Sequence, residues 1–342
     1  MITQFYTLLL TFLLACAEFW YKPALSLYQL RIYDMTYFEF TKRFPTEDAA
    51  IDYIVAKKYH DGYVCPKCGC VHHNIYHQSY DHRKLYCKNC MSEFSALSGT
   101  IFENTHLDIR MWLYAMNLAI VAKKGISACQ LQRELGMGSY HSAWRMMKMV
   151  RSAMHKEDMK EVFEAVVEID ETYVGGKPRK SNIHDDDEPS DKQNKRGRGT
   201  SKTPVIGVKD RSSGRVYCKV ALRNSEGQQL TGKQLFSVLN KVCKGGNKVM
   251  TDQYSGYNIL DGENEKNLVR LKVDHSVMFS LRNGIHTNGI ESFWAIVKRG
   301  IYGIYHHISV KYMQLYMDEF SFRMNHRESD EAFERLASLA VA

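Results

Sequence analysis

Glu164–Lys177 reads EAVVEIDETYVGGK. Val166, Val167 and Ile169 are β-branched and closely spaced, the pattern of a buried strand. Asp170 and Glu171 follow, and Gly175-Gly176 then turn the chain away. The spacing predicts a hydrophobic strand that delivers carboxylates to its carboxyl end, a rigid mount with one face open to substrate. Strand alternation sets Asp170 and Glu171 on opposite faces. Taken alone, a solvated acidic pair capping a turn is the plainer reading, so the rest of the chain has to decide.

Downstream, Thr203–Val208 (TPVIGV) and Arg215–Ala221 (RVYCKVA) read as strands joined by a turn at Ser212-Ser213-Gly214. With the opening strand they give three consecutive strands, antiparallel in expectation. Leu230–Val242 has the spacing of an amphipathic helix. Lys248–Thr251 (KVMT) is a short strand with Asp252 at its exit, repeating the design that ends in Asp170. His286–Trp294 (HTNGIESFW) then enters a long helix. Glu291 and Lys298 lie two helical turns apart and share a face, and Asn288 stands one turn before Glu291. Between the first two strands runs Lys177–Lys202, whose sole large apolar residue is Ile183. No core can form from it, so it reads as a surface loop with a solvated acidic run at Asp185–Glu188. Its Lys195, Arg196 and Arg198 are placed to clamp phosphates.

Upstream, Cys65-Pro66-Lys67-Cys68 and Cys87-Lys88-Asn89-Cys90 are two C-x2-C knuckles separated by eighteen residues. That is the spacing of a four-thiolate zinc ribbon, with a β-hairpin bringing the knuckles together. A closed four-sulfur site leaves no position for substrate, so this Zn²⁺ is structural. Cys70, His72, His73 and His77 are alternative ligands, with Cys70 in poor register to replace Cys68. Thr46 is placed to cap a helix carrying Ala50, Ile51, Ile54 and Val55 inward. Another helix is expected from Leu107 to about Lys123, ended by Gly125. Ser127 caps the next, with Cys129, Leu131 and Leu135 inward, and after Gly136-Met137-Gly138 a third begins near Ser139. Helices around such a turn have a helix-turn-helix signature, which would expose Tyr140, His141, Ser142 and Arg145 on a recognition helix. A plain helical hairpin fits the same spacing. Trp112 and Trp144 are read as core.

The chain has 342 residues, 44% of them hydrophobic and 25% charged, the composition of a soluble globular protein of two or three domains. A net charge of +8 favours a polyanionic partner. The nine cysteines, four in knuckles and the rest scattered, are not a disulfide framework and fit a reducing, intracellular compartment. Phe5–Trp20 is apolar but too short for a comfortable membrane span, and no basic segment precedes it. Met35 opens an ordinary soluble start, so residues 1–34 are expected to be a dispensable extension or a mis-assigned start.

Three strands, a helix, a fourth strand and a late helix, with acids on the first strand, the fourth strand and the late helix, follow the order of an RNase H-like nucleotidyltransferase. The sequence also resembles the DDE-type insertion-sequence transposases of the family numbered 1595, relatives of the Merlin-type transposases. The resemblance covers roughly Phe38–Arg327. It is carried by FPTEDAAIDYI, the paired knuckles, ISACQLQRELG…AWRM, EIDETYVGGK, VMTDQYSGY, HTNGIESFWAIVKRGIYGIYHHIS and KYMQLYMDEFSFRMNHR.

With residues 1–34 outside it as an extension, it implies a multidomain α/β protein with 35–60 as an N-terminal helical segment. A zinc ribbon would occupy 61–100, a helix-turn-helix-like segment 105–155, and an RNase H-like catalytic core with a mixed sheet 160–330, including the loop 177–202. Asp170, Asp252 and Glu291 would hold catalytic Mg²⁺ or Mn²⁺. Asn288 is the alternative third ligand, but a carboxylate is the stronger ligand for a hard cation. Lys298 would hold phosphate, and Arg299 would also face DNA. His286, His306 and His307 are expected in phosphate contacts or packing. The implied partners are double-stranded DNA, at transposon ends and target, and a second copy of the chain; no membrane is implied. Two other readings stay open: a zinc-ribbon regulator with a decayed core, and an RNase H-like nuclease that cleaves without strand transfer.

Overall fold

The computed structural model describes residues 35–71, 75–78, 80–176, 202–273 and 286–342. Residues 1–34 and the loop bearing Lys195, Arg196 and Arg198 lie outside the described residues, as do His72 and His73.

Two short helices open the described chain. Helix α1 (Tyr37–Arg43) starts at a Thr36–Glu39 capping box, and α2 (Glu47–Lys58) is capped by Thr46, whose hydroxyl accepts from the Ala49 amide. Strands β1 (Ile75–Gln78), β2 (Asp81–Cys87) and β3 (Ser92–Ser95) form a three-stranded antiparallel sheet in that order. The hairpin expected between the knuckles is β1–β2, and β3 extends it. Helices α3 (Ile109–Val121), α4 (Ala128–Glu134) and α5 (Tyr140–His155) follow. Ser127 caps α4 as the sequence predicts, its hydroxyl accepting from the Gln130 amide. Cys129 was expected inward but is exposed. The two-turn α4 directs only Leu131 fully into the core, and Cys129 lies off that stripe.

The second half is built on a five-stranded sheet. Its strands are β4 (Val166–Val174), β5 (Thr203–Asp210), β6 (Val216–Val220), β7 (Lys248–Thr251) and β8 (Val269–Lys272), in the spatial order β6-β5-β4-β7-β8. β4, β5 and β6 pair antiparallel in sequence, whereas β7 and β8 join in parallel, so the sheet is mixed. Parallel pairing needs crossovers: α6 (Gly232–Val242), opened by a Thr231–Gln234 capping box, leads into β7, and a 3₁₀ turn, Ser255–Leu260, lies between β7 and β8. Helix α7 (Asn288–Gly300) continues into a π-helical turn, Ile301–Tyr305, and α8 (Val310–Asn325) and α9 (Ala332–Val341) close the chain.

The sheet separates two apolar layers. Val167 and Ile169 of β4 pack with Leu235 and Leu239 of α6 and with Tyr257. Val174 of β4, on the opposite face, packs with Phe293 and Trp294 of α7 and with Phe320 of α8. A third core runs without interruption from Phe40 through Leu85, Trp112, Leu131 and Met147, and takes in Leu336 and Ala340 of α9. The helical, ribbon and helix-turn-helix-like segments that the sequence sets apart therefore share one core, closed by the C-terminal helix. Trp112 is buried there, and its indole N–H donates to Thr105. Trp144 is half-buried, edge-on to Tyr312 of α8.

The two halves are joined by charge as well as by packing. Arg151 of α5 donates to Glu319 of α8 at 2.5 Å, and both side chains are buried. Arg323 and the Tyr305 hydroxyl donate to the other oxygen of Glu319. The flanking guanidinium groups outweigh the effect of burial and hold the Glu319 carboxyl down at about 2.

Candidate active site

β4 does not end at Asp170, as the sequence reading had it, but runs four residues further to Val174. What ends there is its pairing on one side. β7 matches Val166, Val167 and Glu168 of β4 with Lys248, Val249 and Met250, then stops at Thr251. β5 continues alongside β4 as far as Val174 and keeps it extended. Asp170 thus lies where one edge of β4 has just opened, and continuing the parallel register brings Asp252 level with it. The Tyr254 amide donates to Asp252 Oδ1 at 2.9 Å and turns the loop that leaves β7. Arg270 of β8 secures the same loop by donating to the carbonyls of Asp252 and Tyr254.

Glu291 comes from the first turn of α7. Asp170 is partly buried, and that burial, with the charges of Glu171, Asp252 and Glu291, pushes its carboxyl up from 3.8 to about 7. Asp252 and Glu291, the other two acids named from sequence, therefore sit within electrostatic reach of Asp170. Oxygen donors from a strand, a strand exit and a helix fit a hard divalent cation. Asn288, Lys298 and Arg299 are exposed on α7. Glu171 lies on the opposite face of β4 from Asp170 and accepts from the buried Tyr257 hydroxyl at 2.9 Å.

Sequence reasoning missed the residue that sets α7 in place. Glu168 is two positions before Asp170, on the same face of β4, and is buried at 1% exposure. Its Oε2 accepts from the Ile290 amide at 2.9 Å and its Oε1 from Arg211 Nε at 2.7 Å. Arg211 also donates to the His286 carbonyl, and Lys209 Nζ donates to the Gly289 carbonyl at 3.2 Å. The start of the helix that carries Glu291 is thus clamped from both sides, and His286 belongs to that clamp. Two glycines make room. A Cβ on Gly289 would lie 2.7 Å from Glu168 Oε2, and one on Gly207, the β5 partner of Asp170, would lie 2.4 Å from Trp294. The signal available in sequence was a charge at an alternate position in an otherwise apolar strand.

In the ribbon, the Sγ atoms of Cys65 and Cys90 are 3.6 Å apart and those of Cys68 and Cys87 are 3.7 Å apart. Tetrahedral zinc with bonds of about 2.3 Å separates its sulfurs by about 3.8 Å, so the four thiols fit that ion. A hydrogen bond from Asn89, with one from the Cys70 backbone, lowers the Cys68 thiol to about 6, favouring the thiolate a metal needs. Cys70 Sγ lies 3.1 Å from Cys87 but outside the four-sulfur group, and His77 is also outside it. On α5, Tyr140, His141 and Arg145 are exposed and Ser142 is half-buried. No helix among the described residues is long and apolar enough to cross a membrane.

Residues 163–325 match the ISXO2-like transposase domain, the DDE-type domain of IS1595 elements. Over that span the chain is similar to the transposases of IS1595 elements. The matched span begins just before β4, ends with α8, and contains Asp170, Asp252, Glu291 and the Glu168 clamp. A protein of the transposable element ISH50 from Halobacterium salinarum is 27% identical over 268 residues, 75% of this chain and 84% of that one. Two Mos1 transposase structures, a pre-cleavage transpososome and a paired-end complex with the left transposon end, align at 12% identity and a TM-score of 0.25. Each alignment covers 67% of this chain and 78% of the Mos1 chain. That likeness is too slight to bear on the fold of this chain.

Proposed function

We propose that this chain is a DNA transposase that binds the terminal inverted repeats of its element and performs metal-dependent strand cleavage and strand transfer. The observation that supports the reading most is that the charges of Asp252 and Glu291 act on Asp170 where β7 stops pairing with β4, in a sheet whose order β6-β5-β4-β7-β8 fits an RNase H-like nucleotidyltransferase. Mg²⁺ or Mn²⁺ held by these acids would activate the attacking oxygen and stabilise the leaving one in each displacement at phosphorus.

Every other role falls to the protein itself. Asp170 and Asp252 are fixed by strand pairing and by the Arg270-braced loop, and Glu291 by the clamp of Glu168, Lys209 and Arg211. Rigid placement of this kind is what an in-line displacement requires. Lys298, two turns along α7, reaches toward the phosphate backbone, with Arg299 beside it. The zinc ribbon, with Zn²⁺ on Cys65, Cys68, Cys87 and Cys90, and the exposed early face of α5 read the element ends; Tyr140, His141 and Arg145 provide the contacts. Arg196 and Arg198 add charge for the DNA backbone. Joining two ends calls for a homodimer or larger assembly on DNA, inside the cell.

The test is to incubate the purified full-length chain with Mg²⁺ and DNA carrying the sequences that flank its coding region. Joined products support the transposase; cleavage without joining makes it a nuclease; binding without either makes it a regulator.

A further inference from the structure

A second cluster of metal-ligating side chains lies apart from both the acids and the thiols. Asp52 projects from α2, and His77 and His82 come from β1 and β2, on the two sides of the hairpin turn. One ligating atom from each lies within 4.8 Å of the other two. His82 Nδ1 is 2.8 Å from Asp52 Oδ1, and the two imidazole rings are 6.0 Å apart between centroids. A His82–Asp52 ion pair accounts for two of the three residues but not for His77. The His77 Nδ1 is buried and has no hydrogen-bond partner among the described residues. A buried ring nitrogen of this kind is costly unless something fills it.

We infer that Asp52, His77 and His82 form a second metal site, for a zinc-class divalent cation, separate from the four-thiolate cluster. Two imidazoles and a carboxylate suit Zn²⁺, Co²⁺ or Ni²⁺, whereas Mg²⁺ and Ca²⁺ prefer all-oxygen sets. Three protein ligands leave a coordination position for water. The site opens to solvent, since Asp52 is exposed and both histidines are half-buried, so the ion has a way in. Its consequence is mechanical. The ion would pin the ribbon hairpin to α2 alongside the Arg83–Glu47 ion pair and so fix the orientation of the ribbon on the helical core.

The experiment is a metal count on the full-length chain, with excess Mg²⁺ present to occupy the acid cluster. Zinc is measured by elemental analysis, and Co²⁺ substitution separates the two sites spectroscopically. The expected result is two zinc ions per chain, with Co²⁺ at the thiolate site giving an intense sulfur-to-metal band and the second Co²⁺ adding only weak visible bands. His77→Gln and His82→Gln should each reduce the count to one with the sulfur-to-metal band unchanged, which also shows that the ribbon remains folded. Asp52→Asn should weaken the second ion by more than about tenfold. A single zinc in the unaltered protein, or two zincs retained in both histidine variants, overturns the assignment. If a histidine variant loses the sulfur band, the count in the unaltered protein decides alone.

Discussion

Asp170→Asn should make the metal-free protein more stable, and should do so only above about pH 4. The native state holds the Asp170 carboxyl proton up to about 7, because burial and the nearby charges of Glu171, Asp252 and Glu291 oppose ionisation. The unfolded chain releases the same proton near 3.8. Between these values the native state binds more protons, so its stability falls as pH rises, and above about 7 the full penalty is present. The displacement from 3.8 to about 7 is worth about 4 kcal/mol at most. Solvent screening at a partly open site reduces the expected gain from the substitution to about 2 kcal/mol. Asparagine keeps the shape and has no charge to carry. Urea unfolding without divalent ions, at pH 4, 6 and 8, measures the effect: near zero at pH 4, intermediate at pH 6 and largest at pH 8. Added Mg²⁺ should stabilise the unaltered protein more than the variant and narrow the gap. A variant neutral or less stable at pH 8, or one shifted equally at all three values, refutes the view that Asp170 is held in repulsion with the other acids.

Glu168→Gln should lower stability by about 1.5–3 kcal/mol, since it removes the charge from the bond to Arg211 while keeping an acceptor for the Ile290 amide. Cleavage should fall with it, whereas DNA affinity, measured by gel shift, should be unchanged. Glu319→Gln leaves Arg151 and Arg323 facing an uncharged partner in the core, and urea unfolding should register a loss of about 3–5 kcal/mol. Because the Glu319 carboxyl is held at about 2, the stability it gives is present above about pH 4.5 and drains away as pH falls toward 2; the variant should lack that acid limb. Chelation of zinc, or Cys87→Ser, should loosen the N-terminal core, since binding to such a thiolate site is worth on the order of 10 kcal/mol. Near-ultraviolet circular dichroism of the aromatic residues packed against the ribbon should report it.

Much of this architecture was legible in local sequence. The strand of EAVVEID, the Ser212-Ser213-Gly214 turn, the short strand VMT before Asp252 and the Ser127 cap each rest on contacts a few residues long. Local patterning is the part of a fold that a single sequence states most directly. The extent of β4 was misjudged because the paired acids drew the boundary too early, whereas Gly175-Gly176 stand where the strand does end. Thr172, Tyr173 and Val174 are themselves strand formers, and β5 pairs with each of them. Glu168 was passed over because its partners are remote: Arg211 lies 43 residues away and Ile290 lies 122 away. The place of α9 in the N-terminal core was hidden for the same reason, since Leu336 and Ala340 show an apolar stripe without showing what it covers. Cys129 erred the other way, an apolar residue assigned inward on a helix with room for little more than Leu131.

The central claim is that Asp170, Asp252 and Glu291 act together as the acids of a phosphoryl-transfer site. The most direct measurement is single-turnover cleavage of element-end DNA in Mg²⁺ by Asp170→Asn, Asp252→Asn and Glu291→Gln, each checked for unchanged DNA binding, with Glu171→Gln alongside. The account predicts that all three lose cleavage and joining by more than about a thousandfold while Glu171→Gln keeps most of its activity. Cleavage at the unaltered rate by any one of the three would contradict it.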